Sequence, residues 1–176
     1  MKLNKSVKNV FAILIFTVAA VGFFACGNDN SLEELRNNEL AELDTYIKAN
    51  YPNVKPKSSG LYYIETQKGT GDTIKVGDQV QIYYATWTID SLLLDQSVGF
   101  LDGHEYEPYT VNVGSGTSIT GLEEALTYMQ KGTVANLVID SKLAYGQNGN
   151  TSSDPFVPGF TTLLMKVKVY KIYKAN

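Results

Sequence analysis

The sequence contains one cysteine, Cys26, and one histidine, His104, and these two shortages remove whole classes of function. A single thiol cannot build a disulfide framework, so the core must hold the fold by itself. One Cys and one His cannot make the usual zinc site either, and no other metal spacing is present, so neither a metal nor another cofactor is expected. No Ser or Cys motif accompanies His104, which excludes the familiar hydrolase triads and leaves this histidine as a solvent-exposed loop residue. Gly69-Thr-Gly71 and Gly114-Ser-Gly116 open no phosphate-binding helix and read as turns. Internal repeats and low-complexity stretches are also missing. Basic residues are outnumbered, 15 Lys and Arg against 18 Asp and Glu, which argues against nucleic acid as a partner. With 5 prolines in 176 residues and 44% apolar content, the chain suits one folded domain with appendages, not a fibre or a disordered tail.

What is present begins with Lys2, Lys5 and Lys8 ahead of a 16-residue apolar run, residues 10–25. That run is too short and too one-sided in its flanks for a typical membrane span, and it reads as a signal peptide occupying residues 1–25, with an uncleaved anchor helix as the rival reading. It ends Phe23-Phe24-Ala25-Cys26-Gly27, a small residue directly before the only cysteine, which resembles the lipobox of bacterial lipoproteins. On that reading Cys26 is the mature first residue and carries lipid. The protein is then fixed to a membrane of the bacterial cell envelope, the outer membrane facing the periplasm being the expected one. Losing the three leader lysines leaves 12 basic against 18 acidic residues, net −6, which disfavours direct contact with an anionic bilayer.

Residues 26–58 read as a lipidated tether, a helix and a linker. Ser31-Leu-Glu-Glu34 has the form of a capping box, and Leu32, Leu35, Leu40, Leu43, Ile47 and Tyr51 make a broad apolar stripe that Pro52 terminates. Pro52, Pro56, Ser58 and Ser59 mark the linker. The stripe must be covered, either by the chain's own domain or by a second copy. The second option makes a homodimer, or a client-holding arm, through residues 31–51.

The remainder is organised around residues 119–146. Thr120-Gly-Leu-Glu123 predicts a second capping box, with the Thr hydroxyl accepting from helix amides and the Glu carboxylate reaching back. Leu122, Ala125, Leu126 and Met129 follow at helical spacing, and Lys131-Gly132 supplies a cationic last turn and a C-terminal glycine, so a helix is predicted from Thr120 to near Lys131. Ala135, Leu137 and Ile139 then alternate with Val134, Asn136 and Val138 as a strand with one core face. Strand signals recur at 60–65, 79–88, 109–113 and 162–173. Four or five strands and one central helix give an α+β domain, its sheet wrapped around the helix, with one face core and the other mostly wet.

Several ordered motifs carry a family resemblance: Ile119-Thr-Gly-Leu-Glu-Glu-Ala-Leu126, Met129-x-x-Gly132, Ala135-x-Leu-x-Ile139 and Ala144-Tyr-Gly146. Upstream stand Ser59-Gly-Leu-Tyr-Tyr-Ile64, Lys68-Gly-Thr-Gly71 and Val76-Gly-Asp-Gln-Val-Gln-Ile-Tyr-Tyr84; downstream, Val157-Pro158 and residues 161–173 complete the set. Together they resemble the FKBP family of peptidyl-prolyl cis-trans isomerases over about two thirds of the chain. The isomerase domain is assigned to residues 59–176. The resemblance implies an FKBP-like antiparallel sheet around one central helix, preceded here by the N-terminal helix.

It also implies a site. Tyr84 and Asp95 match a pocket Tyr and Asp, Tyr109 falls where the family has a pocket Phe, and Ile119 follows the loop whose amide binds the ligand carbonyl. Tyr145 matches the Tyr whose hydroxyl donates to ligand, and Val157 matches an aliphatic wall. Departures are Leu94 in place of Phe, Leu122 in place of Trp, Met165 in place of Phe, and Phe160 near the closing-loop His. Each keeps the position apolar while trimming aromatic area, which implies a deeper, less aromatic pocket. Asp95, Tyr145 and Tyr84 are the catalytic candidates; Leu94, Tyr109, Ile119, Leu122, Val157 and Met165 are the substrate-binding ones. Two long segments, 98–107 and 147–157, are expected to flank the pocket mouth. The implied substrate is a proline-containing unfolded or extended polypeptide. The alternative is a chaperone or peptide-binding lipoprotein that holds such chains with little or no turnover.

Cys26→Ser is expected to leave the domain folded and to move the protein from the detergent-extracted membrane fraction into unprocessed precursor. Cell fractionation checks this, and normal processing of the variant to a free soluble form would refute lipidation.

Overall fold

The computed structural model describes residues 29–175; the expected signal peptide, residues 1–25, and the expected lipidation site Cys26 lie outside the described residues. Packing divides the chain into Met1–Leu35 and Arg36–Asn176, and the second unit carries the site. Helix α1 runs Asp29–Asn50. It is already formed ahead of Ser31, so the expected first capping box sits inside the helix, where backbone carbonyls take the amides that a cap would otherwise satisfy. Its last bond, Tyr51 N to Ile47 O at 2.8 Å, precedes Pro52, which cannot continue the ladder.

Six strands form one antiparallel sheet: β1 (Tyr62–Gln67), β2 (Gln79–Thr88), β3 (Leu93–Gln96), β4 (Tyr109–Asn112), β5 (Val134–Ile139) and β6 (Leu163–Tyr173). The order is β1-β5-β6-β2-β3, and β4 shares with β3 the free edge of β2. Strand β4 takes Gln79 to Ile82 and β3 takes Ala85 to Trp87, so two short strands complete what one long strand would have covered. The period-2 pattern locates every strand except β3, four residues whose alternation is broken by a register shift.

The inner face is the core. Ile82, Leu137 and Val167 are 0–1% exposed there, and helix α2 (Thr120–Leu126) lays Leu122, Ala125 and Leu126 across them. The helix is shorter than its apolar spacing predicts. Thr127, Tyr128 and Met129 donate to the carbonyls three residues back, so the chain tightens after Leu126 and still delivers Met129 to the core at 0% exposure.

The outer face was expected to be mostly wet; it is covered in part, while Lys166 and Tyr170 stay exposed. Leu43 and Ile47 of α1 bury Val138 together with Tyr62, Ile64 and Leu164, so part of the helical stripe is covered by the chain's own sheet. Residues 98–107 cover the far end of the same face. Phe100 stacks on Tyr83 with centroids 6.2 Å apart, the Tyr83 hydroxyl donates to the Glu105 carbonyl at 3.1 Å, and Lys168 pairs with the Glu105 carboxylate. This segment was expected at the pocket mouth; its aromatic and acidic residues instead find partners on the outward-facing positions of β2 and β6. His104 is exposed and stacks on Tyr106.

Helix and sheet approach closely at Gly121, where a Cβ would lie 2.5 Å from Ile139 Cγ2 and 3.2 Å from Leu143 Cβ. Gly121→Ala is therefore expected to destabilise the fold by about 1–3 kcal/mol through overpacking, read as a lower urea midpoint at unchanged slope.

Candidate active site

The cleft begins on β2, where Tyr84 and Thr86 point inward opposite Val167 and Met165 of β6. Adjacent strand residues normally face opposite ways, so Leu94 and Asp95 could not both line one cleft from a regular β3. A register shift resolves this: Thr86 pairs with Asp95 and Trp87 with Leu93, leaving Leu94 as the extra residue of a bulge. Leu94 is then buried at 9% exposure, and Asp95 faces the mouth. The Tyr84 hydroxyl donates to Asp95 Oδ2 at 2.5 Å, and the Gln96 amide donates to Oδ1 at 2.8 Å. Asp95 is exposed, so this carboxylate is steered by its partners and not sunk in an apolar wall. Burial of the phenol, then the hydrogen bond and charge of Asp95, push the Tyr84 hydroxyl well above the ordinary tyrosine range. Tyr109 meets the Tyr84 ring edge-on with centroids 5.6 Å apart.

The second wall is the loop entering α2. The predicted capping box is not formed: Ile119 is the N-cap residue, with no side-chain hydrogen bond, and Thr120 is exposed. Glu123 does reach back, but past the cap to the preceding loop. Its carboxylate accepts from the amides of Gly114 at 2.8 Å, Gly116 at 3.3 Å and Ser118 at 3.2 Å, and from the Ser118 hydroxyl at 3.4 Å. Desolvation alone would raise the Glu123 pKa, but the amides of Ser118, Gly116 and Gly114 and the Ser118 hydroxyl together hold it below the ordinary carboxylate value. One buried carboxylate thus fixes the loop that presents Thr117, Ser118 and Ile119 to the cleft, while Leu122 forms part of the floor.

The third wall follows β5. A short 3-10 turn, Ser141–Leu143, is capped by Asp140 and leads to Ala144 and Tyr145. Tyr145 is 38% exposed, and among the described residues its hydroxyl meets no hydrogen-bond partner. Residues 150–157 fold over the mouth, closed by reciprocal backbone bonds between Asn150 and Val157 at 2.8 and 3.1 Å. Gly149 makes that closure possible: its φ is +66°, and a Cβ would lie 2.1 Å from the Val157 carbonyl oxygen.

The open cleft measures about 620 Å³ and brings together all nine candidates: Tyr84, Leu94, Asp95, Tyr109, Ile119, Leu122, Tyr145, Val157 and Met165. Leu122 and Met165 are 3% and 5% exposed at its base. Phe160 does not join them; at φ +56° it turns toward a separate groove with Phe156 and Leu92. Sequence reasoning missed Thr86 and Leu163 on the strands and Asn150, Ser153 and Asp154 on the loop. Thr86 and Leu163 were legible from alternation with Tyr84 and Met165; the loop residues carried no periodic signal. The lining is therefore more polar than expected.

Among the described residues no histidine, cysteine or group of metal-ligating side chains reaches this cleft. A half-apolar cavity lined by carboxylates and hydroxyls, without a histidine or cysteine, can bind an extended chain and alter the environment of an amide. An antiparallel sheet crossed by one helix, with such a cleft between them, is the arrangement that the resemblance to the FKBP family implies.

Comparisons with known proteins agree. The model of the FKBP-type peptidyl-prolyl cis-trans isomerase family matches residues 71–170, and the chain belongs to that family. It is 30% identical over 142 residues to the FKBP-type peptidyl-prolyl cis-trans isomerase FkpA of Buchnera aphidicola, covering 80% of this chain but only 52% of that protein. It is 27% identical over 115 residues to the FK506-binding protein of Neisseria meningitidis serogroup B, covering 65% of this chain and 98% of that one. A peptidyl-prolyl cis-trans isomerase from Pseudomonas syringae superposes with a TM-score of 0.68 at 25% identity, over 84% of this chain and 100% of its own. FkpA from Escherichia coli superposes with a TM-score of 0.67 at 26% identity, over 99% of this chain and 76% of its own.

Glu123→Gln tests the loop cradle. A carboxylate whose folded pKa lies below its unfolded one adds stability above the unfolded value and loses it as pH falls through the folded value. The variant is expected to be less stable than wild type by about 2 kcal/mol near neutral pH. That gap should close as the pH drops below the ordinary glutamate value of 4.5, measured by denaturant melts across pH.

Proposed function

We propose that this cleft binds an X-Pro segment of an unfolded or extended polypeptide and accelerates rotation about its peptide bond, in the bacterial cell envelope, with the protein held to a membrane by lipid on Cys26. The observation that carries the proposal is the meeting, in one cavity, of nine residues drawn from separate stretches of the chain. The uncatalysed barrier, about 18–20 kcal/mol, is a twist of a partial double bond in which nothing covalent breaks. A planar amide is more charge-separated than a twisted one, so a site that strips water from the planar form favours the twisted form. Leu94, Leu122, Val157 and Met165 supply the dry surface against the proline ring. The Tyr145 hydroxyl is placed to donate to a peptide carbonyl. Asp95, oriented by Tyr84 and the Gln96 amide, sets the field at the mouth without exchanging a proton.

A proline-limited refolding assay on residues 27–176 tests the proposal, and no acceleration at micromolar protein would overturn it in favour of a binding module that holds chains without turnover. Tyr145→Phe is expected to weaken peptide binding by about 1 kcal/mol, one hydrogen bond, at unchanged stability. Asp95→Ala should lower turnover more than affinity. The rate should be flat between about pH 6 and 8, because His104 lies outside the cleft and Tyr84 titrates higher still. A bell-shaped profile in that range would signal acid–base chemistry.

A further inference from the structure

Helix α1 carries a buried polar cluster that the proposed reaction leaves unused. Glu39 is 3% exposed, and its carboxylate accepts from the Ser141 amide at 2.7 Å, the Ser141 hydroxyl at 2.7 Å and the Thr162 hydroxyl at 3.0 Å. Arg36 completes the cluster, donating to Glu39 at 2.5 Å, to the Ser141 hydroxyl at 3.0 Å and to Asp140 at 2.6 Å. Burying a carboxylate is costly even when it is paired, and Leu43 and Ile47 alone would suffice to cover Val138. The cluster's position gives it another role.

Ser141 and Thr162 stand at the two stems of the segment that brings Tyr145 to the cleft. The Ser141 carbonyl oxygen accepts from the Ala144 amide at 2.9 Å and the Gly146 amide at 2.7 Å, so both neighbours of Tyr145 hang from the residue that Glu39 grips. The Gly146 carbonyl in turn accepts from the Phe160 amide at 2.9 Å, which ties the first stem to the second just before Thr162 and the cleft residue Leu163.

We infer that Glu39, with Arg36, is a positioning residue for the active site: through Ser141 and Thr162 it sets where the Tyr145 hydroxyl stands. Helix α1 is thereby a working part of the isomerase and not only a spacer between anchor and domain. The inference rests on the proposed isomerase function for its kinetic consequence, but the positioning itself is measurable without turnover.

The test uses the full chain in detergent. In Glu39→Ala, hydrogen exchange at the Ala144 and Gly146 amides should accelerate about tenfold relative to the amides of β5. In Leu43→Ala, which thins only the apolar contact, that ratio and the activity per folded molecule should stay as in wild type. Glu39→Ala should lower kcat/KM about tenfold in the wild-type background but less than twofold when Tyr145 is already Phe, since the misplaced hydroxyl is then gone. Glu39→Gln, which keeps one acceptor oxygen, should recover most of the loss. Should Glu39→Ala not fold, Thr162→Val, which removes one of the hydroxyl partners of Glu39, carries the same exchange comparison. Unchanged exchange at Ala144 and Gly146, or equal kinetic losses in both Tyr145 backgrounds, would overturn the inference. An inactive wild type would instead defeat the proposed function, with exchange still deciding the positioning role.

Discussion

The close approach of α2 to the sheet is the constraint from which the site follows. At Gly121 only a hydrogen fits against Ile139 and Leu143, and this lets a helix of seven residues drop Leu122 and Leu126 onto the inner face. A longer standoff would leave a void under Leu122 and move the helix entrance away from Tyr84. Ile119 and Leu122, either side of that contact in sequence, both line the cleft.

Around that point the chain builds a site from polar groups that orient one another and apolar groups that keep water out. Glu123 gathers three loop amides on one side of the mouth, and Tyr84 with Gln96 holds Asp95 on the other. Both carboxylates act as acceptors for groups of the chain itself. Prolyl isomerisation needs no proton transfer, which is why a chain so poor in histidine and cysteine can still be an enzyme. The bulge at Leu94 shows the economy of the arrangement: one extra residue puts an apolar wall and a charged rim side by side.

The outer face of the sheet is as organised as the inner one. Residues 98–107 and helix α1 divide it, the first through Tyr83 and Lys168, the second through Val138 and Leu164. From that side Glu39 reaches the backbone that carries Tyr145. From Arg36 onward the N-terminal helix packs in one unit with the sheet, although it precedes it in sequence.

Periodicity was sufficient for the strands Gln79–Thr88 and Val134–Ile139 and for the start of α2, because alternation and helical spacing are read locally; the nine residues of the cleft came instead from the ordered motifs of the family resemblance, Leu94 and Asp95 among them although their strand shows no period. Only the tertiary structure decided the rest. Strand β3 has no period to read, and its bulge exists because β2 offers a partner edge. Glu123 bypasses its own helix cap because three loop amides without strand partners lie within reach. Segment 98–107 leaves the mouth for the outer face because Tyr83 and Lys168 point outward there. The grip of Glu39 on Ser141 joins residues 102 apart in sequence, and no local pattern encodes a contact whose two halves meet only after the sheet has formed.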